Sequence, residues 1–105
     1  MKRPKTGWDV LEHEILGEQA ATIGRLGREL QAALDALDAF KRAVSSGVTA
    51  ADGRQRARLV DEAAYALWNF VVQRECSGFR GTEHILKDYA VPAEVRAKMG
   101  VVGAR

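Results

Sequence analysis

From Trp8 to Val44 nothing in the sequence forces a helix to stop, and this uninterrupted run constrains the fold more than any other feature. Both prolines, Pro4 and Pro92, lie outside it. Within it Ile23, Leu26, Leu30, Ala33, Leu37, Phe40 and Val44 recur at alternating steps of three and four. Such steps place every one of these side chains on a single helix face, the seam of a heptad repeat. Leu34 widens the seam, so the face suits a bundle of several helices better than a bare two-stranded coil. Upstream, Trp8, Leu11 and Ile15 form a stripe displaced by one position. At 1.5 Å per residue a continuous helix here would be about 55 Å long.

One set of residues resists this reading. Gly17, Ala20, Gly24 and Gly27 fall on a flanking face at helical spacing, and each interior glycine costs a helix about 1 kcal/mol. Either a second helix closes in on a surface bare of side chains, or the helix kinks between residues 17 and 27. Close packing is the reading adopted.

Ser45-Ser46-Gly47 ends the segment, with Gly47 suited to a left-handed cap. Thr49-Ala50-Ala51-Asp52 has the form of a capping box and predicts the start of a second helix that runs to about Ser77, before Gly78. So short a connection makes the two helices antiparallel neighbours. The second helix carries one seam of Val60, Ala64, Leu67 and Val71 and another of Tyr65, Trp68, Val72 and Cys76, with Ala63 and Phe70 between them. From Ala63 to Val72 only Asn69 is clearly polar, which predicts an element buried on all sides. Asn69 is then a register-setting core group, a partner for a loop backbone, or a residue at the wet rim. Phe79-Arg80-Gly81 reads as a loop, Thr82 as the cap of a short helix to about Tyr89, and Ala90-Val91-Pro92 as a turn. Pro92 fits the first position of a last helix that Gly100 caps after Met99, leaving residues 101–105 as a frayed tail. The expected organisation is a basic, flexible arm over residues 1–7 and one all-α domain over residues 8–105. Its core is an antiparallel hairpin of long helices with two short C-terminal ones.

Charge and cysteine content narrow the function classes. The net charge is +2 over 105 residues. Residues 1–8 carry three bases, residues 9–44 seven acids against four bases, and residues 78–105 five bases against three acids. That field is too weak to imply a polyanion. No apolar run approaches the length of a membrane span, and no apolar segment follows the basic start. The expectation is a cytoplasmic protein with no membrane contact. Cys76 is the single cysteine, so no internal disulfide or thiolate zinc site exists, and it is expected to be a small buried hydrophobe.

Three constellations carry residue types capable of chemistry. Asp9, Glu12, His13, Glu14 and Glu18 crowd two turns, but the Glu-x-x-His spacing of di-iron bundles is missing. A solvated acidic first turn that complements the helix dipole is the plainer reading. Arg54, Arg56 and Arg58 stand at the positive end of the second helix, where they oppose its dipole and form a candidate anion site. Arg54 and Arg58 share a face while Arg56 points elsewhere, and Arg58 can pair with Glu62, so a solvated face is preferred. Residues 82–99 have the outline of a helix-turn-helix, with Ile85, Tyr89, Val91 and Met99 at its apolar positions and Arg96 and Lys98 on the second helix. Ala90 replaces the usual turn glycine, Leu86 replaces a small residue, and Arg96 stands where core is required. A structural αα-corner fits better, and nucleic acid is not the expected partner. No nucleophile–base pair, phosphate loop or cofactor fingerprint is present, so no catalytic residue, metal or cofactor is assigned.

Trp8-Asp9-Val10-Leu11-Glu12-His13-Glu14-Ile15, Ala66-Leu67-Trp68-Asn69-Phe70-Val71-Val72-Gln73-Arg74-Glu75 and Tyr89-Ala90-Val91-Pro92-Ala93-Glu94-Val95 resemble a family of small uncharacterised bacterial helical proteins. The resemblance implies one helical domain and transfers no function. The long seams then carry the expectation. Two long helices and two short ones leave much apolar surface uncovered, and a homodimer with a four-helix core covers it. The expected function is non-catalytic self-association, with binding of some further protein. A DNA-binding regulator and a small-ligand binder or enzyme are the rival readings.

Overall fold

The computed structural model describes the backbone of residues 7–79 and 81–103 and the side chains of residues 13–79 and 81–100. Among these residues the protein is all-helical: α1 (Gly7–Ser45), α2 (Gly53–Cys76), α3 (Thr82–Asp88) and α4 (Ala93–Gly103). The molecule is elongated, 63 × 29 × 20 Å, with a radius of gyration of 18.1 Å. A compact domain of this length would have about 13 Å. The cause is α1, a single 39-residue helix unbroken through Gly17, Gly24 and Gly27.

The core forms where the seam of α1 meets α2. Leu30, Leu34 and Leu37 bury against Val60, Ala63, Ala64, Leu67 and Phe70, and Ile85, Leu86 and Val95 close the cluster from α3 and α4. Leu30, Leu37, Leu67 and Val95 are the largest fully buried side chains. Ile23, Leu26, Ala33, Phe40 and Val71 pack around them half-buried. Each large apolar side chain removed from water contributes about 1.5–3 kcal/mol, so this cluster is the main cohesion of the chain.

The helix ends follow their caps. Gly47 (φ +79°) and Gly78 (φ +88°) take the left-handed conformation. Beyond them the Val48 amide donates to the Ala43 carbonyl at 3.0 Å and the Phe79 amide to the Arg74 carbonyl at 2.8 Å. These 6→1 bonds satisfy carbonyls the helices leave orphaned. Ala90 closes α3 in the same way, with φ +50° and the Val91 amide on the Leu86 carbonyl. An L residue is held there at a cost that glycine avoids.

Several expectations are corrected. Asp52, not Thr49, caps α2, its carboxylate accepting from the Arg54 and Gln55 amides. Aspartate accepts from these orphan donors as well as threonine does, and Thr49 to Ala51 stay in the exposed connection. Gly81 is the N-cap of α3, and the Thr82 hydroxyl instead donates to Glu75 at 3.4 Å. Pro92 precedes α4 as its capping residue, accepting from the Val95 and Arg96 amides. Helix α4 continues through Gly100 to Gly103, so Gly100 is interior and residues 101–103 are helical. Helix α2 is not buried on all sides. Tyr65 is 59% exposed, Trp68, Asn69 and Val72 are half-buried, and Cys76 is exposed rather than buried. Residues 1–6, Arg80 and residues 104–105, including most of the basic arm, lie outside the described residues.

Candidate functional site

The residues that sequence reading marked for chemistry fall into three places. At the N-terminal part of α1, His13, Glu14 and Glu18 are exposed, and the side chains of Asp9 and Glu12 lie outside the described residues. No group of three His, Cys, Asp or Glu residues gathers among the described residues. Arg54 and Arg58 are exposed at the start of α2. Arg58 contacts the Gln55 amide oxygen rather than Glu62.

The outlined helix-turn-helix is a corner whose basic residues are spent inside the chain. Arg96 donates to Glu83 of α3 at 3.1 Å, and Lys98 approaches Asp61 of α2 at 3.4 Å. Arg96 therefore does not occupy a core position; Val95 beside it does, fully buried.

Sequence reading missed the most connected polar group, Glu94. It receives the Lys41 ammonium of α1 at 2.6 Å and the forked guanidinium of Arg56 of α2 at 3.1 Å. The hydrogen bond from Lys41, followed by that from Arg56, outweighs partial burial and lowers the Glu94 carboxyl below its ordinary 4.5. Arg56 is thus a clasp between α2 and α4. Its partner stands 38 positions away, and no local spacing signals it.

The face of Gly17, Ala20, Gly24 and Gly27 divides. A Cβ on Gly27 would stand 2.8 Å from the Tyr89 hydroxyl and 3.3 Å from the Phe70 ring. At Gly27 the approach is made by side chains, a ring from α2 and the C-cap residue of α3. Phe70 and Tyr89 stack edge-to-face at 5.5 Å. Gly24 would meet only the tip of Arg28, Gly17 meets nothing within 4 Å, and Ala20 is exposed. Beside Gly24 and Gly27 runs an open groove of about 410 Å³ with Ile23, Phe70 and Tyr89 in its floor and Arg28 on its rim.

Large apolar side chains left in water complete the surface. Ile15 is 46% and Leu16 57% exposed on α1, alongside Tyr65 on α2. No helix among the described residues is long and apolar enough to cross a membrane.

Comparison with curated proteins and with solved structures finds no match. The family description that matches, over residues 1–105, reads "Family of unknown function". It bears out the resemblance to an uncharacterised helical family. The chain belongs to the family of unknown function DUF6665.

Proposed function

We propose that this protein is a non-catalytic interaction module whose working form is a homodimer of helical hairpins. The observation that carries the reading is that α1 outruns its cover. Helix α1 has 39 residues against 24 in α2, and residues 13–18 are exposed without exception. Among them Ile15 and Leu16 expose large apolar side chains, on a helix that extends an otherwise well-packed body. A rigid helix with apolar side chains in water is a surface suited to another chain.

An antiparallel hairpin of α1 and α2 is supported by contacts at both ends. Gly27 of α1 meets Phe70 late in α2, whereas Lys41 of α1 and Arg56 early in α2 share Glu94. The second seam of α2, with Tyr65 exposed and Trp68 and Val72 half-buried, offers a further face for a second protein. Sedimentation equilibrium at micromolar concentration tests the reading, with an expected mass near twice 11.5 kDa. A monomer persisting at roughly 100 µM, some hundredfold above the Kd of a micromolar dimer, overturns it.

A further inference from the structure

We infer that the dimer is built by antiparallel pairing of the projecting part of α1 with the same segment of a second copy, centred on Ala20, each arm lying over the other's groove beside Gly24. This rests on the self-association reading and specifies its surface.

Three observations converge. The first is continuity of the seam. Leu16, Ala20, Ile23 and Gly27 continue, at steps of four, three and four, the stripe that α2 covers at Leu30, Leu34 and Leu37. The cover thins beyond Gly27, where Ile23 is half-buried, and the apolar stripe runs on to Leu16, more than half exposed.

The second is fit. Centring an antiparallel pair on Ala20 sets Leu16 over the partner's Gly24 and Ile23 over the partner's Gly17. A large side chain thus meets a missing one at each crossing, and Ala20 meets its own copy. Close approach of backbones is what small residues at a helix interface permit. Gly17 and Gly24, unlike Gly27, have no reason within the chain: a Cβ on Gly17 meets nothing, and one on Gly24 only a flexible arginine tip. The two helices cross at an angle, as ridge-into-groove packing favours, so past Gly24 the arriving helix runs along the groove lined by Phe70 and Tyr89 and not over the seam already covered at Leu30.

The third is charge. Residues 7–22 hold Asp9, Glu12, Glu14 and Glu18 and no lysine or arginine, while Arg25 and Arg28 follow. The same centring puts Glu14 between the partner's Arg25 and Arg28, on the flank they share. Glu14 and Arg28 form no ion pair among the described residues, and Arg25 has only its exposed neighbour Glu29. Parallel pairing would instead stack acid on acid. A second copy of this chain is therefore the partner of matching charge, and the two-fold makes every contact twice.

The test uses the full chain. Gly17→Leu with Gly24→Leu fills the holes without an internal clash, and leucine favours the helix more than glycine does. The expected result is a folded monomer, with unchanged or greater helix content, at a concentration where the unmodified protein is a dimer. Arg28→Glu is expected to weaken dimerisation about tenfold, and Glu14→Arg in the same chain to restore most of it. In a Cys76→Ser background, Leu16→Cys and Gly24→Cys proteins are mixed and air-oxidised. A disulfide between the two variants, with little within either alone, is expected. A unmodified dimer whose double-leucine variant stays dimeric, or in which Leu16→Cys links to itself and not to Gly24→Cys, overturns this pairing and leaves self-association standing. A monomeric unmodified protein overturns both.

Discussion

Replacing Gly27 by alanine adds one methyl group to α1 and sets two magnitudes against each other. Alanine in a helix interior is favoured over glycine by about 0.5–1 kcal/mol. Against this, the new Cβ would stand 2.8 Å from the Tyr89 hydroxyl oxygen and 3.3 and 3.4 Å from two carbons of the Phe70 ring. Phe70 is 4% exposed and cannot retreat without disturbing the cluster around Leu67. Tyr89 is the C-cap of α3, its amide bound to the Ile85 carbonyl, and its ring rests edge-on against Phe70. Overpacking of this kind costs about 1–3 kcal/mol, so the net expectation runs from near neutral to a loss of about 2.5 kcal/mol. Gly100→Ala is the control, since Gly100 is also interior to a helix but meets nothing within 4 Å. It should gain up to about 1 kcal/mol. Urea denaturation with unchanged slope reads both as shifts of midpoint. Tyr89→Phe removes the nearest atom, so in that background the Gly27→Ala loss should shrink by about 1 kcal/mol, a coupling a double-mutant cycle isolates. Were Gly27→Ala as stabilising as Gly100→Ala, the wedge of Tyr89 and Phe70 against α1 would be refuted.

Leu67→Ala empties a fully buried position and should cost about 3–5 kcal/mol in urea denaturation; a loss below about 1 kcal/mol would place Leu67 outside the core. Ala90→Gly relieves a left-handed residue at φ +50° and should raise the thermal midpoint, a gain of about 1 kcal/mol. Glu94 has a folded pKa below its unfolded value, so its stabilisation is complete above the ordinary 4.5 and is lost as pH falls through the lowered one. Glu94→Gln should therefore be less stable at pH 7 and lose less on acidification to pH 3, as urea midpoints at the two values will show.

Much of this architecture is legible in the residues because helices report themselves locally. The three–four spacing of Leu30, Leu34 and Leu37 needs only the helix's own period to declare a buried face, and Gly47 and Gly78 mark ends through their own backbone freedom. Asp52 lay within the recognised capping stretch, but a threonine three positions earlier offered the same chemistry. What failed was non-local. No spacing links Gly27 to Tyr89 or Arg56 to Glu94, since each pair is made by the tertiary turn of α3 and α4. The apolar circumference of α2 misled for a related reason: hydrophobicity says that Tyr65, Trp68 and Cys76 can be buried, not that this chain supplies enough helices to bury them. Helical spacing makes the glycine face a single surface, whereas the rings of Phe70 and Tyr89 at Gly27 divide it.

That division gives the four small residues their separate meanings. Gly27 lies where α2 and α3 converge, so its missing side chain is filled from within, and its substitution registers in folding. Gly17 and Gly24 carry the same helix cost with no such return. Together they cost the 39-residue helix about 2 kcal/mol, and in the proposed dimer the partner's Leu16 and Ile23 offset it. Alanine at either position would remove that cost at a single methyl's expense in space. The two classes of glycine therefore separate by what each does to two observables. Filling Gly27 is expected to lower the unfolding free energy at any protein concentration, whereas in the proposed dimer filling Gly17 or Gly24 raises helix stability and raises the concentration at which copies associate.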